Sequence, residues 1–174
     1  DEVEEVLKRL RDILREAKEL VERSVKRNEE IAEESRKESE ESVRRNEEIV
    51  DAVRKRVDDK DKVARVEEVI RRVVEENRKS AKESLDMIRD VVRKNKKVLR
   101  EAEEVVKRLV EEVRKVTDRR VLERLIRELE RVLEELREKL KRSIEESEDV
   151  VRKNREILRR SIEKSEDVVR KIET

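Results

Sequence analysis

The sequence predicts an all-α protein, an up-down-up antiparallel three-helix bundle with long, nearly straight helices. Three observations predict it. Apolar or small polar residues recur in alternating three- and four-residue steps, the spacing of one helical face. The pattern is interrupted only twice, at Asp58-Asp59-Lys60-Asp61 and at Thr117-Asp118. Charged residues make up 57% of the 174 residues, and Gly, Pro and aromatic residues are absent, a composition typical of long helices and coiled coils.

The first helix is expected over about residues 1–57. Its seam runs through positions 3, 7, 10, 14, 17, 21, 24, 28, 31, 35, 39, 42, 46, 49, 53 and 57. The aspartates that follow can accept hydrogen bonds from the free N–H groups that open a helix, with Asp59 or Asp61 as N-cap. The second helix is expected over 62–116. Asp118 caps the third, expected over 119–173. Turns this short join only antiparallel neighbours, and the whole of 1–174 is expected to form a single domain. Each helix would be roughly 80 Å long at about 1.5 Å per residue. The apolar seam covers an arc of roughly 120–140°, wide enough to touch two neighbours.

Internal repeats share one length. Ser24-Val25-Lys26-Arg27-Asn28-Glu29-Glu30-Ile31 returns as Ser42-Val43-Arg44-Arg45-Asn46-Glu47-Glu48-Ile49. Ser143-Ile144-Glu145-Glu146-Ser147 returns as Ser161-Ile162-Glu163-Lys164-Ser165, and Asn77 as Asn95. Each spacing is about eighteen residues, five turns of an ideal helix. Heptads would impose a left-handed supercoil and eleven-residue repeats a right-handed one; this period imposes neither.

The asparagines and serines carry the most information. Ser24, Asn28, Ser35, Ser39, Ser42, Asn46, Asn77, Ser80, Ser84, Asn95, Ser143, Ser147, Asn154, Ser161 and Ser165 all fall on the seam, where Leu or Val is expected. A buried polar group must find a partner or cost roughly 1–3 kcal/mol. The two turns place Ser24, Asn95 and Ser143 at one height, Ser35, Ser84 and Asn154 at another, and Ser42, Asn77 and Ser161 at a third. They also set Asn28 beside Ser147, Asn46 beside Ser165, and Ser39 beside Ser80. One asparagine amide can bridge two hydroxyls, so these fifteen residues are expected to form a structural polar network that fixes helix register. The blocks Val3 to Val21, Val50 to Val57, Val98 to Val116 and Leu122 to Leu140 are apolar along the seam and supply the hydrophobic stability. Met87 is expected on the seam as a gap filler. Leu85 lies just beyond it, as a lone exposed residue or the edge of a contact patch.

The inventory predicts no enzyme and no cofactor. Without His or Cys there is no imidazole base, no thiol and no zinc site of the usual kind. Without Gly there is no phosphate loop, and the serines have no base beside them. Fifty basic residues against 49 acidic ones leave a net charge of +1, which makes no case for nucleic acid or an anionic membrane as a partner. Apolar runs of two residues at most predict no membrane span. The acidic N-terminus lacks a signal-peptide core. The chain is therefore expected to be soluble, and cytoplasmic on recombinant expression.

Eight absent residue types, Glu/Lys/Arg surfaces, eighteen-residue repeats and Asn/Ser layers together resemble computationally designed helical bundles with buried hydrogen-bond networks. The resemblance extends over the whole chain and is compositional and geometric. It implies a structural scaffold without natural biochemical activity that requires no partner. The alternative it implies is a designed interaction module: a homo-oligomer, one half of a heterodimer, or a cage that accepts an extra helix. The turns depart from that class in lacking Gly and Pro.

Overall fold

A computed structural model describes residues 2–173; Asp1 and Thr174, the ends of the expected domain, lie outside the described residues. The fold is an all-α three-helix bundle, with α1 over Glu2–Arg56, α2 over Lys60–Val113 and α3 over Arg119–Glu173. Among the described residues there is no strand, no cis peptide bond and no residue of positive φ.

The helix boundaries follow from local chemistry. Asp59 caps α2: its Oδ1 accepts from Asp61 N at 3.0 Å and Lys62 N at 3.4 Å, the N-cap arrangement that satisfies two orphan donors. Helix α2 therefore starts at Lys60, two residues before the expected position. Asp118 repeats the device for α3 through Arg120 N at 2.9 Å. Helix α2 stops at Val113, not Val116, because the chain tightens. Lys115 N bonds Glu112 O at 3.0 Å and Val116 N bonds Val113 O at 3.3 Å, the three-residue step of a 3₁₀ turn. Helix α1 ends at Arg56, one residue early. Its first turn carries Glu2, Glu4 and Glu5 and its last Arg54, Lys55 and Arg56, charges of the sign that the helix dipole favours at each end.

The chain forms two compact units, each built from parts of all three helices. The first contains residues 2–29 and 89–146, the second 30–88 and 147–173. In the first, Val6, Leu10, Ile13, Ala17 and Val21 of α1 pack with Val113 of α2 and Leu122, Leu129, Leu133, Leu136 and Leu140 of α3. Ion pairs from Arg9 to Glu130 (2.7 Å) and from Arg137 to Glu16 join α1 to α3, and the rising numbers on both sides make these helices parallel. In the second unit, Val53 packs with Val66, Ile70, Val74, Val169 and Ile172. There Arg54 meets Glu67 at 3.0 Å and Asn77 meets Ser42; one number falls as the other rises, so α1 and α2 are antiparallel.

Every seam position read for α1 is buried or half-buried. Two further buried residues of α1, Val6 and Ile13, lie outside that list, because the first unit buries two adjacent rows of α1 rather than one. Met87 corrects the sequence reading. It is 57% exposed, and Ile88 takes the interior place at 1%. The spacing Ser84, Ile88, Val91 keeps one face inward, and residue 87 stands about 100° round from 88. Leu85 is half-buried.

The exposed charges pair mostly within one helix. Glu33 lies below the usual carboxylate range because the Arg36 guanidinium bonds it, and Glu68 and Glu156 are lowered in the same way by Arg71 and Arg159. Such exposed pairs are screened and contribute little each.

Two outcomes are expected. Leu10→Ala should cost about 2–5 kcal/mol in denaturant unfolding, against about 1 kcal/mol for Asp59→Ala, which removes only a cap. Stability should be nearly flat from about pH 6 to 8, because no side chain titrates there without His. The lowered carboxylates contribute stability above their unfolded pKa of about 4.3, and it is lost as acid protonates the folded state, so the thermal midpoint should fall below about pH 4.

Candidate functional site: the buried polar layers

Helical spacing brings the fifteen expected residues inward. Fourteen are buried, with Asn28, Asn46, Asn77, Ser147 and Ser165 at 0% exposure, and Ser80 is half-buried.

In the first unit the expected layer of Ser24, Asn95 and Ser143 is present. Asn95 Nδ2 donates to Ser24 Oγ at 3.1 Å and to Ser143 Oγ at 3.0 Å. Ser143 gives its own proton to Leu140 O at 2.7 Å. Ser24 is therefore the donor in the 3.3 Å contact between the two hydroxyls. Asn28 Nδ2 donates to Ser24 O at 2.9 Å and reaches Ser24 Oγ and Ser143 Oγ at 3.4 Å.

In the second unit the same layer recurs eighteen residues along each helix, as the repeats require. Asn77 Nδ2 donates to Ser42 Oγ at 3.2 Å and Ser161 Oγ at 2.9 Å. Ser161 donates to Leu158 O at 2.9 Å, and Asn46 Nδ2 to Ser42 O at 2.9 Å. The expected neighbours Asn46 and Ser165 also meet: Ser165 Oγ lies 2.5 Å from Asn46 Oδ1 and 3.0 Å from Ser161 O. It has one proton, and the shorter contact takes it.

The layer expected from Ser35, Ser84 and Asn154 forms differently. Asn154 Nδ2 donates to Ser35 Oγ at 3.4 Å and Ser39 Oγ at 3.0 Å, while Asn154 Oδ1 accepts from Ser80 Oγ at 2.6 Å. Ser80, one turn from Ser84, thus supplies the α2 donor. Ser84 is buried, but the amide does not use it. An amide has two ends, and Asn154 uses both to collect hydroxyls from two neighbouring helices. Turn positions alone place residues only to within a turn, so sequence reasoning chose the wrong serine.

One atom is left over. Asn77 Oδ1 is the single fully enclosed side-chain oxygen or nitrogen among the described residues without a hydrogen-bond partner. Burying such an acceptor costs roughly 1–3 kcal/mol. Its counterpart in the first unit, Asn95, is not so enclosed, at 7% exposure.

These groups are neutral, and none is a nucleophile with an adjacent base. Among the described residues no group of three or more His, Cys, Asp or Glu is placed to hold a metal ion, and no helix is long and apolar enough to cross a membrane. Chemically, the arrangement offers hydrogen bonds between helices through neutral amides and hydroxyls.

The serine exchange is testable by unfolding two variants. Ser80→Val leaves Asn154 Oδ1 without its donor and should cost about 1–3 kcal/mol. Ser84→Val removes no bond to Asn154 and should be close to neutral. The opposite ranking would contradict the assigned network. Comparison of the chain with known protein families, curated proteins and solved structures finds no match.

Proposed function

We propose that the chain is a computationally designed structural scaffold without catalytic activity, in which buried polar layers fix how three helices align. The observation that carries this reading is the doubled layer of one asparagine and two serines, each from a different helix, at Ser24/Asn95/Ser143 and again at Ser42/Asn77/Ser161. A one-turn slip of α3 in one direction would set Leu140 in place of Ser143 and Leu158 in place of Ser161, and each asparagine would lose a partner. An apolar pair in the same place would accept the slip, because hydrophobic contact is non-directional. Register specification is the best-attested use of an isolated polar residue in a helical seam. The missing imidazole, thiol and glycine chemistry supports the absence of catalysis.

The test replaces Asn77 and Asn95 with Leu and their serine partners Ser24, Ser42, Ser143 and Ser161 with Ala. The thermal midpoint should hold or rise, since apolar replacement of buried polar groups is often neutral or stabilising. The amide NMR spectrum should then show more than one set of resonances, or light scattering more than one mass. A variant that keeps a single monomeric fold with one set of resonances would remove the role assigned to the layers. The parent chain should scatter as a monomer at every concentration tried.

A further inference from the structure

Thr117 stands apart from every other hydroxyl among the described residues. All ten serines lie inside helices, nine of them buried and Ser80 half-buried. There is no tyrosine. Thr117 is exposed, sits in the turn between α2 and α3, and its side chain makes no hydrogen bond. The turn is basic. Arg114 and Lys115 precede Thr117 and Arg119 and Arg120 follow it, with Asp118 the one acid among them. Three serines also follow a basic pair: Ser80 follows Arg78-Lys79, Ser143 follows Lys141-Arg142 and Ser161 follows Arg159-Arg160. Only the structure separates them from Thr117. Each is held within a helix, where its hydroxyl meets the amide of Asn154, Asn95 or Asn77.

Charge at this turn opposes the helix that it opens. The first turn of α3 has no acidic residue and begins Arg119-Arg120, although a helix start favours negative charge. Helix α1, by contrast, begins with Glu2, Glu4 and Glu5. Arg119 is relieved by Glu2 at 3.4 Å and Glu123 at 3.2 Å. Among the described residues Arg114, Lys115 and Arg120 form no ion pair. The Asp118 carboxylate is already engaged as the cap, on Arg120 N at 2.9 Å.

We propose that Thr117 is a phosphorylation site for a serine/threonine kinase whose substrate cleft reads basic residues ahead of the hydroxyl, and that the added phosphate stabilises the start of α3. The attacking hydroxyl must reach the phosphorus in line, which a side chain inside a packed helix does not do. Residues 114–118 lie outside both helices. That stretch holds Arg114 three residues before the hydroxyl, Lys115 two before and Asp118 one after. Two backbone bonds, Lys115 N to Glu112 O and Val116 N to Val113 O, tighten its first half and have to open. Acidic groups in the kinase cleft then pair with Arg114 and Lys115, the charge pattern by which kinases choose substrates. Thr117 Oγ1 attacks the γ-phosphorus of ATP. A new P–O bond forms as the bond to the departing ADP oxygen breaks, and the hydroxyl proton passes to the catalytic carboxylate of the kinase. The product carries a charge of about −1.5 to −2 at neutral pH, one residue ahead of the Asp118 cap and between cations that lack partners.

The probe is the catalytic subunit of cyclic-AMP-dependent protein kinase, an enzyme that selects basic substrates, with magnesium ATP and the full chain. The intact mass should rise by one phosphate, and peptide mapping should place it on Thr117. Thr117→Ala and Thr117→Val should each abolish the gain. Arg114→Glu with Lys115→Glu should slow the initial rate at least about tenfold, as charge complementarity sets partner choice. Circular dichroism melts check that these variants stay folded, which exposed positions allow. The phosphorylated parent chain should melt about 1–4 °C higher than the unmodified chain at low ionic strength. That gain should shrink at about 1 M salt, where screening acts within roughly 3 Å. No phosphate on the parent chain, phosphate on Ser80, Ser143 or Ser161 in place of Thr117, an unchanged rate after the charge reversal, or a lowered midpoint after phosphorylation would each overturn the proposal.

Discussion

The interaction on which the structure depends is the hydrogen bond from a buried asparagine amide to hydroxyls on neighbouring helices. The helices themselves are almost uniform: Glu, Lys and Arg outside, Val, Leu and Ile inside. Such helices could pack at many offsets with similar apolar burial. Asn95 between Ser24 and Ser143, and Asn77 between Ser42 and Ser161, make those offsets unequal. The contribution of each bond to stability is modest, about 1 kcal/mol, while the cost of leaving the amide unpaired is larger. On the proposed reading, the layers act mainly against wrong alignments.

Apolar burial and polar specification are divided along the chain. Leucines and valines concentrate in the two hydrophobic clusters, one in each unit. The serines and asparagines share the remaining seam with residues such as Ile31, Ile88, Val91, Val151 and Leu158. Small hydroxyls suit these positions because a spare proton can return to the same helix, as Ser143 does to Leu140 O and Ser161 to Leu158 O. Asn77 Oδ1 shows the limit of the repeat: its amide makes the same two donations as Asn95, but its carbonyl oxygen is enclosed without a donor. Copying a layer by eighteen residues reproduces its helix-to-helix bonds and not its access to water.

The layers use most of the polar side chains of the interior. A groove beside Val105 and Val132 lies where the apolar surface of α2 and α3 is wider than α1 alone covers.

The sequence by itself determined the three helices, the Asp118 cap, most of the inward face and two of the three Asn/Ser layers. These depend on periodicity, on Asp at helix starts and on residue spacing, all local and additive along the chain. Tertiary structure alone decided that Asn154 takes Ser80 and not Ser84, that Ile88 and not Met87 turns inward, and that Asn77 keeps an unpaired oxygen. Each is a matter of less than one helical turn or of one amide's rotation. Helical spacing sets which face a residue occupies, but the distance between side chains on different helices is fixed only when the backbones pack.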